Sequence, residues 1–163
     1  MSPDYILAVD QGTSATKAII FDAEGQPVAR AAQQLESSYP HPDFVEQDPE
    51  QIYLSVIKSV KKCLENFRED HNETIQDITA CGLSNQRETF LLWDDAGRPI
   101  TNAVVWQCKR SVEICSRLRG SDLEEELKAR TGLIADPYFS GTKLIWLYEN
   151  DPSVKKAIDE GKA

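Results

Sequence analysis

Apolar residues from Tyr5 onward give way to the polar stretch Asp10-Gln11-Gly12-Thr13-Ser14-Ala15-Thr16-Lys17, and a second apolar run continues to Asp22. The pattern predicts two buried strands joined by a tight turn. A third strand is expected over Val28 to Leu35, after the Asp22-Ala23-Glu24-Gly25 turn. Asp48-Pro49-Glu50-Gln51 then reads as a helix start, with a cap, a proline at the first helical position and a Gln three residues after the cap. Ile52, Val56, Ile57, Val60, Leu64 and Phe67 mark the apolar face of that helix. Short strands are predicted at Ile78 to Leu83, Thr89 to Trp93 and Ala103 to Trp106, the last two separated by the Asp94-Asp95-Ala96-Gly97 turn.

Beyond Cys108 the rhythm becomes helical. Val112, Cys115 and Leu118 share one face, Leu123 and Leu127 belong to a second helix ending near Gly132, and a third runs from about Ser140 to Asn150. Asp151-Pro152 opens a last short helix that reaches Glu160-Gly161-Lys162-Ala163 without the look of a finished C-terminus. Periodicity assigns Trp93 and Trp146 to the core. With no repeat, low-complexity tract or Gly/Ser linker, the chain reads as one α/β unit of βββαβββ order followed by helices.

The 163 residues, 40% hydrophobic and 28% charged, suffice for one respectable core in one soluble globular domain. A net charge of −9 argues against nucleic-acid or anionic-membrane partners, which require a basic footprint. The start Met1-Ser2-Pro3-Asp4-Tyr5 lacks the basic and apolar segments of a secretory signal, and no apolar stretch reaches membrane-spanning length, so a cytoplasmic location without membrane insertion is expected. Cys63, Cys81, Cys108 and Cys115 lack C-x-x-C spacing and have only His41 and His71 as companions. They read as buried or partly buried thiols, not as a zinc site or disulfide framework.

The turn after the first strand carries the chemistry. Asp10 is placed to hold a magnesium ion through water, Gly12 lets the backbone approach a phosphate, and Thr13, Ser14 and Lys17 supply donors to phosphate oxygens. Taken alone, the segment fits an ordinary glycine hairpin equally well. It is not a Walker A loop, having no second glycine before Lys17 and a strand where a helix would follow. Ser84-Asn85-Gln86-Arg87-Glu88-Thr89 is too polar for a buried junction, and Arg87 beside Glu88 offers adjacent donors and acceptors that suit neighbouring hydroxyls of a polyol. A surface ion pair is the plainer reading. Trp106 and Tyr138 can supply an apolar wall with a polar handle, or be core residues.

Asp10-Gln11-Gly12-Thr13 resembles the first phosphate loop of the actin-like ATPase superfamily. Further segments, in the family's order, resemble the glycerol kinases of the FGGY carbohydrate kinase family: Pro42 to Pro49, Asn85 to Thr89, Ala103 to Cys108, and Arg130 to Leu133 with Asp136 to Lys143. The similarity covers nearly the whole chain. It implies a ribonuclease-H-like domain with a mixed sheet and flanking helices, the N-terminal and incomplete part of a kinase whose two domains close on ATP-magnesium and glycerol or a related polyol.

Carried over by resemblance, Thr13, Ser14 and Lys17 contact phosphate beside Gly12, Asp10 stands on the magnesium side, and Arg87, Glu88, Trp106 and Tyr138 form the polyol pocket. The loop departs from the family pattern at Ala15, where a hydroxyl is usual, and at Lys17, which replaces an arginine and loses its bidentate fork. The family's catalytic aspartate and adenine site belong to segments beyond Ala163, so the resemblance implies a missing C-terminal domain and a piece inactive alone. Homo-oligomerisation stays open. Rival readings are a xylulose or erythritol kinase, a non-catalytic polyol- or protein-binding module, and an actin-like scaffold or chaperone ATPase.

Overall fold

A computed structural model describes residues 5–71 and 75–163, except for the side chains of Asp70 and His71. The readings that fall on Met1–Asp4 and on the His71 side chain therefore lie outside the described residues. The chain forms two compact units. The first takes the described residues of Met1–Glu36 and Glu50–Gln86, and the second takes Ser37–Pro49 and Arg87–Ala163. Each closes around its own apolar cluster.

In the first unit, strands β1 (Tyr5–Gln11), β2 (Ala15–Phe21) and β3 (Pro27–Gln34) form the expected meander. Strand β4 (Glu46–Gln47) belongs to the second unit, and β5 (Ile78–Asn85) returns to the first, in parallel against β1. The result is a mixed sheet of order β3-β2-β1-β5. The strands expected to be buried are so on one face only. Tyr5, Leu7, Val9, Ala18 and Ile20 share a cluster with helix α1 (Pro49–His71), while Ile6 and Lys17 are exposed. Phe67 meets Tyr5 edge-on at 4.8 Å between ring centroids.

The most buried line of α1 is Ser55, Ser59, Cys63 and Phe67, a four-residue repeat along one face. Ile57 falls on the opposite side and is 47% exposed, against expectation. The serines are buried because Thr16 of β2 satisfies them. Its Oγ1 lies 2.6 Å from Ser55 Oγ, and its carbonyl accepts a bond from Ser59 Oγ at 3.1 Å. Thr16→Val keeps the shape but removes the hydroxyl, and urea unfolding is expected to show a loss of about 1 kcal/mol. Burial also raises the Cys63 thiol above its ordinary pKa.

The second unit departs most from expectation. Thr89 to Trp93 makes only single bridges, Phe90 to Val104 and Trp93 to Pro99. The strand expected up to Trp106 shrinks to β6 (Ala103–Val104), paired with the unforeseen β4. Trp93, assigned to the core, is 62% exposed because it flanks the tight turn closed by the Gly97 amide on the Asp94 carbonyl. In the first unit Cys81 is exposed too, on a β5 whose residues after Ile78 are all exposed. Cys63, Cys108 and Cys115 are buried as read.

Four helices follow: α2 (Val112–Leu118), α3 (Asp122–Thr131), α4 (Ser140–Asn150) and α5 (Pro152–Asp159). Ser121 caps α3 through the Glu124 amide, and Gly132 ends it at φ 74°. Asp151 caps α5 through the amides of Ser153 and Val154, with Pro152 at its start. Helix α3 buries no residue, so Leu123 and Leu127 line an open groove of about 270 Å³ with Leu133, Ile134 and Ile145. Val104, Cys108, Leu147 and Val154 form the core of this unit, with Trp146 packed against it as expected. Among the described residues no helix is long and apolar enough to cross a membrane.

Candidate functional site

The candidate residues gather in two groups, each within its own unit. In the first unit the Gly12–Ser14 turn joins β1 to β2, closed by the Gly12 amide on the Ala15 carbonyl at 3.0 Å. A Cβ on Gly12 would meet that same oxygen at 3.0 Å, so the close approach of the two backbones favours glycine here. The loop is anchored at both ends. Gln11, buried, donates through Nε2 to the Gly12 carbonyl at 3.0 Å, and the Leu35 amide donates to the Ser14 carbonyl at 2.9 Å.

Asp10 and Lys17 are register partners across the hairpin, and both are exposed. Ser14 is exposed and Thr13 half-buried. This donor set suits magnesium-phosphate. Mg²⁺ takes one or two carboxylates and fills its remaining positions with water and phosphate oxygens, so a single exposed carboxylate beside a tight backbone turn fits it. Among the described residues no group of three or more His, Cys, Asp or Glu forms a metal cage.

The second group centres on Glu88. Its φ of 62° makes it the one non-glycine in the left-handed region among the described residues, a conformation costing about 1–2 kcal/mol that surrounding contacts must offset. Helix α4 supplies them. Its N-cap residue, Phe139, has no side-chain oxygen, and the Glu88 carboxylate takes over that role from a distant part of the sequence. Glu88 Oε2 accepts from the Ser140 amide and from Ser140 Oγ, both at 2.8 Å, where the helix dipole favours negative charge. Oε1 has no hydrogen-bond partner among the described residues.

Lys143, fully buried one turn along α4, donates to the Glu88 carbonyl at 3.2 Å and to the Tyr138 carbonyl at 2.8 Å. Burial pulls its ammonium below the ordinary lysine value, against weaker opposing pulls from Cys108 and Glu88. Tyr138 in turn packs on Trp106 at 5.8 Å between centroids, and the Trp106 amide donates to Thr89 Oγ1 at 3.2 Å. Glu88, Trp106 and Tyr138, half-buried, thus share one framework, while Arg87 is exposed beside it. Sequence reasoning missed Ser140, Lys143 and Thr89 as members. Lys143 was legible as a charge four residues before the core position Leu147, on the buried side of a helix.

A second polar centre in this unit also escaped notice. The Arg110 guanidinium, with its side chain 3% exposed, pairs with Glu46 and lies over the rings of Phe44 at 4.4 Å and Trp146 at 5.0 Å. Asn102 Nδ2 donates to the other Glu46 oxygen at 3.1 Å. Arg110 was invisible to periodicity because it sits in the irregular segment before α2.

The family model for the FGGY family of carbohydrate kinases, N-terminal domain, matches residues 5–162. The chain is 44% identical over 160 residues to a glycerol kinase of Ralstonia nicotianae, covering 98% of this chain and 31% of that relative. Among solved structures it is similar to Plasmodium falciparum glycerol kinase with ADP, at a TM-score of 0.89 and 30% identity over 98% of this chain and 31% of that one. It is also similar to a xyloylose kinase from Brucella ovis, at a TM-score of 0.78 and 33% identity over 92% of this chain and 30% of that one. The chain thus spans about a third of the length of the relatives it matches. Its mixed sheet with flanking helices is the α/β architecture of these sugar kinases, as the resemblance implied.

Proposed function

The chain belongs to the FGGY family of carbohydrate kinases, and from that premise we propose that it is the polyol-binding, N-terminal part of a cytoplasmic, ATP-dependent glycerol kinase. The whole protein would transfer the γ-phosphoryl of ATP to a primary hydroxyl of glycerol, giving glycerol 3-phosphate. The observation that carries the polyol assignment is the Glu88 framework: a carboxylate on a left-handed backbone position, with one oxygen committed to α4 and the other unpartnered among the described residues, next to Arg87 and the Trp106–Tyr138 wall.

In this reading Arg87 donates to glycerol hydroxyls and Glu88 Oε1 accepts from them, while the two rings exclude water from the carbon skeleton. Asp10 would hold magnesium through water, and Gly12, Thr13, Ser14 and Lys17 would contact phosphate. Bound ATP-magnesium supplies the phosphoryl group and neutralises its charge. These residues position and polarise; the group that accepts the proton of the attacking hydroxyl is proposed to lie in a further domain, so this chain alone is inactive. A xylulose kinase is the second reading, supported by the similarity to the Brucella ovis protein.

ADP release from ATP-magnesium with glycerol, erythritol and xylulose, run on the complete gene product and on this chain in parallel, tests the proposal. Turnover on glycerol by the complete product alone is expected. Preferential turnover on xylulose selects the second reading, and no turnover on any of the three points to a binding module.

A further inference from the structure

Glu88 holds its unusual backbone conformation through two residues of one helix turn, and neither contact is needed simply to bury apolar surface. Ser140 fixes Oε2 with two donors. Lys143 ties the Glu88 carbonyl to the Tyr138 carbonyl, so one buried ammonium links the segment bearing the acidic side chain to the segment bearing the aromatic wall. An ammonium is costly to bury, and two backbone carbonyls are a modest return for it in stability alone. A methionine would fill the same space without that cost.

We propose that Lys143 is a positioning residue for polyol binding: with Ser140 it sets the direction in which Glu88 Oε1 points and the distance between Glu88 and the Trp106–Tyr138 wall. The inference rests on the polyol reading of Glu88. Lys143 does not touch substrate, being fully buried, and acts only through the two carbonyls it holds. A carboxylate held in place loses less rotamer freedom on binding, so freeing it weakens the grip on the polyol and leaves the nucleotide side alone.

Steady-state kinetics of the complete gene product tests this. Lys143→Met is expected to raise the KM for glycerol about tenfold, which is about 1.4 kcal/mol, with the KM for ATP little changed. In a Glu88→Ala background the same change is expected to add almost nothing, because there is no carboxylate left to position. Should Lys143→Met fail to fold, Ser140→Ala, which removes one of the two donors to Oε2, is expected to shift the same constant in the same direction. If Glu88→Ala leaves the glycerol KM unaltered, the polyol reading itself falls and this inference with it. If Glu88→Ala raises that KM but Lys143→Met does not, or if the two effects simply add, the polyol reading stands and the positioning role is overturned.

Discussion

Replacing Arg87 by alanine in the complete gene product is expected to raise the KM for glycerol on the order of 100-fold, with the KM for ATP nearly unchanged. The size follows from the hydrogen bonds a guanidinium makes to substrate hydroxyls. Bonds to a charged group contribute roughly 1.5–3 kcal/mol each, and losing about 2.7 kcal/mol is a factor of about 100. The structure adds a reason to expect little loss of fold: Arg87 is exposed, so its removal leaves no buried charge behind. Arg87→Lys is expected to recover only part of the loss, since an ammonium keeps the charge without the planar fork. Steady-state kinetics at saturating ATP reads both values, and an unchanged glycerol dependence would remove the pocket assignment.

The second large effect concerns stability. Glu46→Ala strands the Arg110 guanidinium between Phe44 and Trp146 with no carboxylate. Breaking a buried pair from one side costs about 3–5 kcal/mol, because the remaining charge stays desolvated. Urea denaturation of the protein is expected to show that loss. Glu46→Gln, which keeps an acceptor for Arg110 and loses only the charge, is expected to cost less. Removing both charges, in Glu46→Ala with Arg110→Leu, is expected to cost less than the sum of the single changes, because no orphaned ion is left. A single-variant loss below about 1 kcal/mol would mean that water reaches Arg110 and screens it.

Much of the fold was legible because local chemistry writes it directly. The β1–β2 hairpin follows from two apolar runs around Gly12, the end of α3 from Gly132 and the start of α5 from Asp151-Pro152. Trp93 and Ile57 were placed in the core by residue type and spacing, yet Trp93 flanks a tight turn and Ile57 lies opposite the buried line of α1, so both are exposed. The serine line of α1 was missed for the converse reason: Ser55 and Ser59 look like solvent positions until Thr16 is brought against them.

The candidate site divides in the same way. The residue types at Asp10, Gly12, Lys17, Arg87 and Glu88, and their resemblance to a kinase family, were properties of the sequence, since donors, acceptors and a glycine turn are local. That Glu88 adopts a left-handed backbone, caps α4 and shares Lys143 with Tyr138 was decided only by tertiary structure. The same holds for the Glu46–Arg110 pair and for the two separate cores. The physical reason is that propensities and caps act over a few residues, whereas burying a charge or straining a backbone becomes favourable only when groups dozens of residues away arrive to satisfy it.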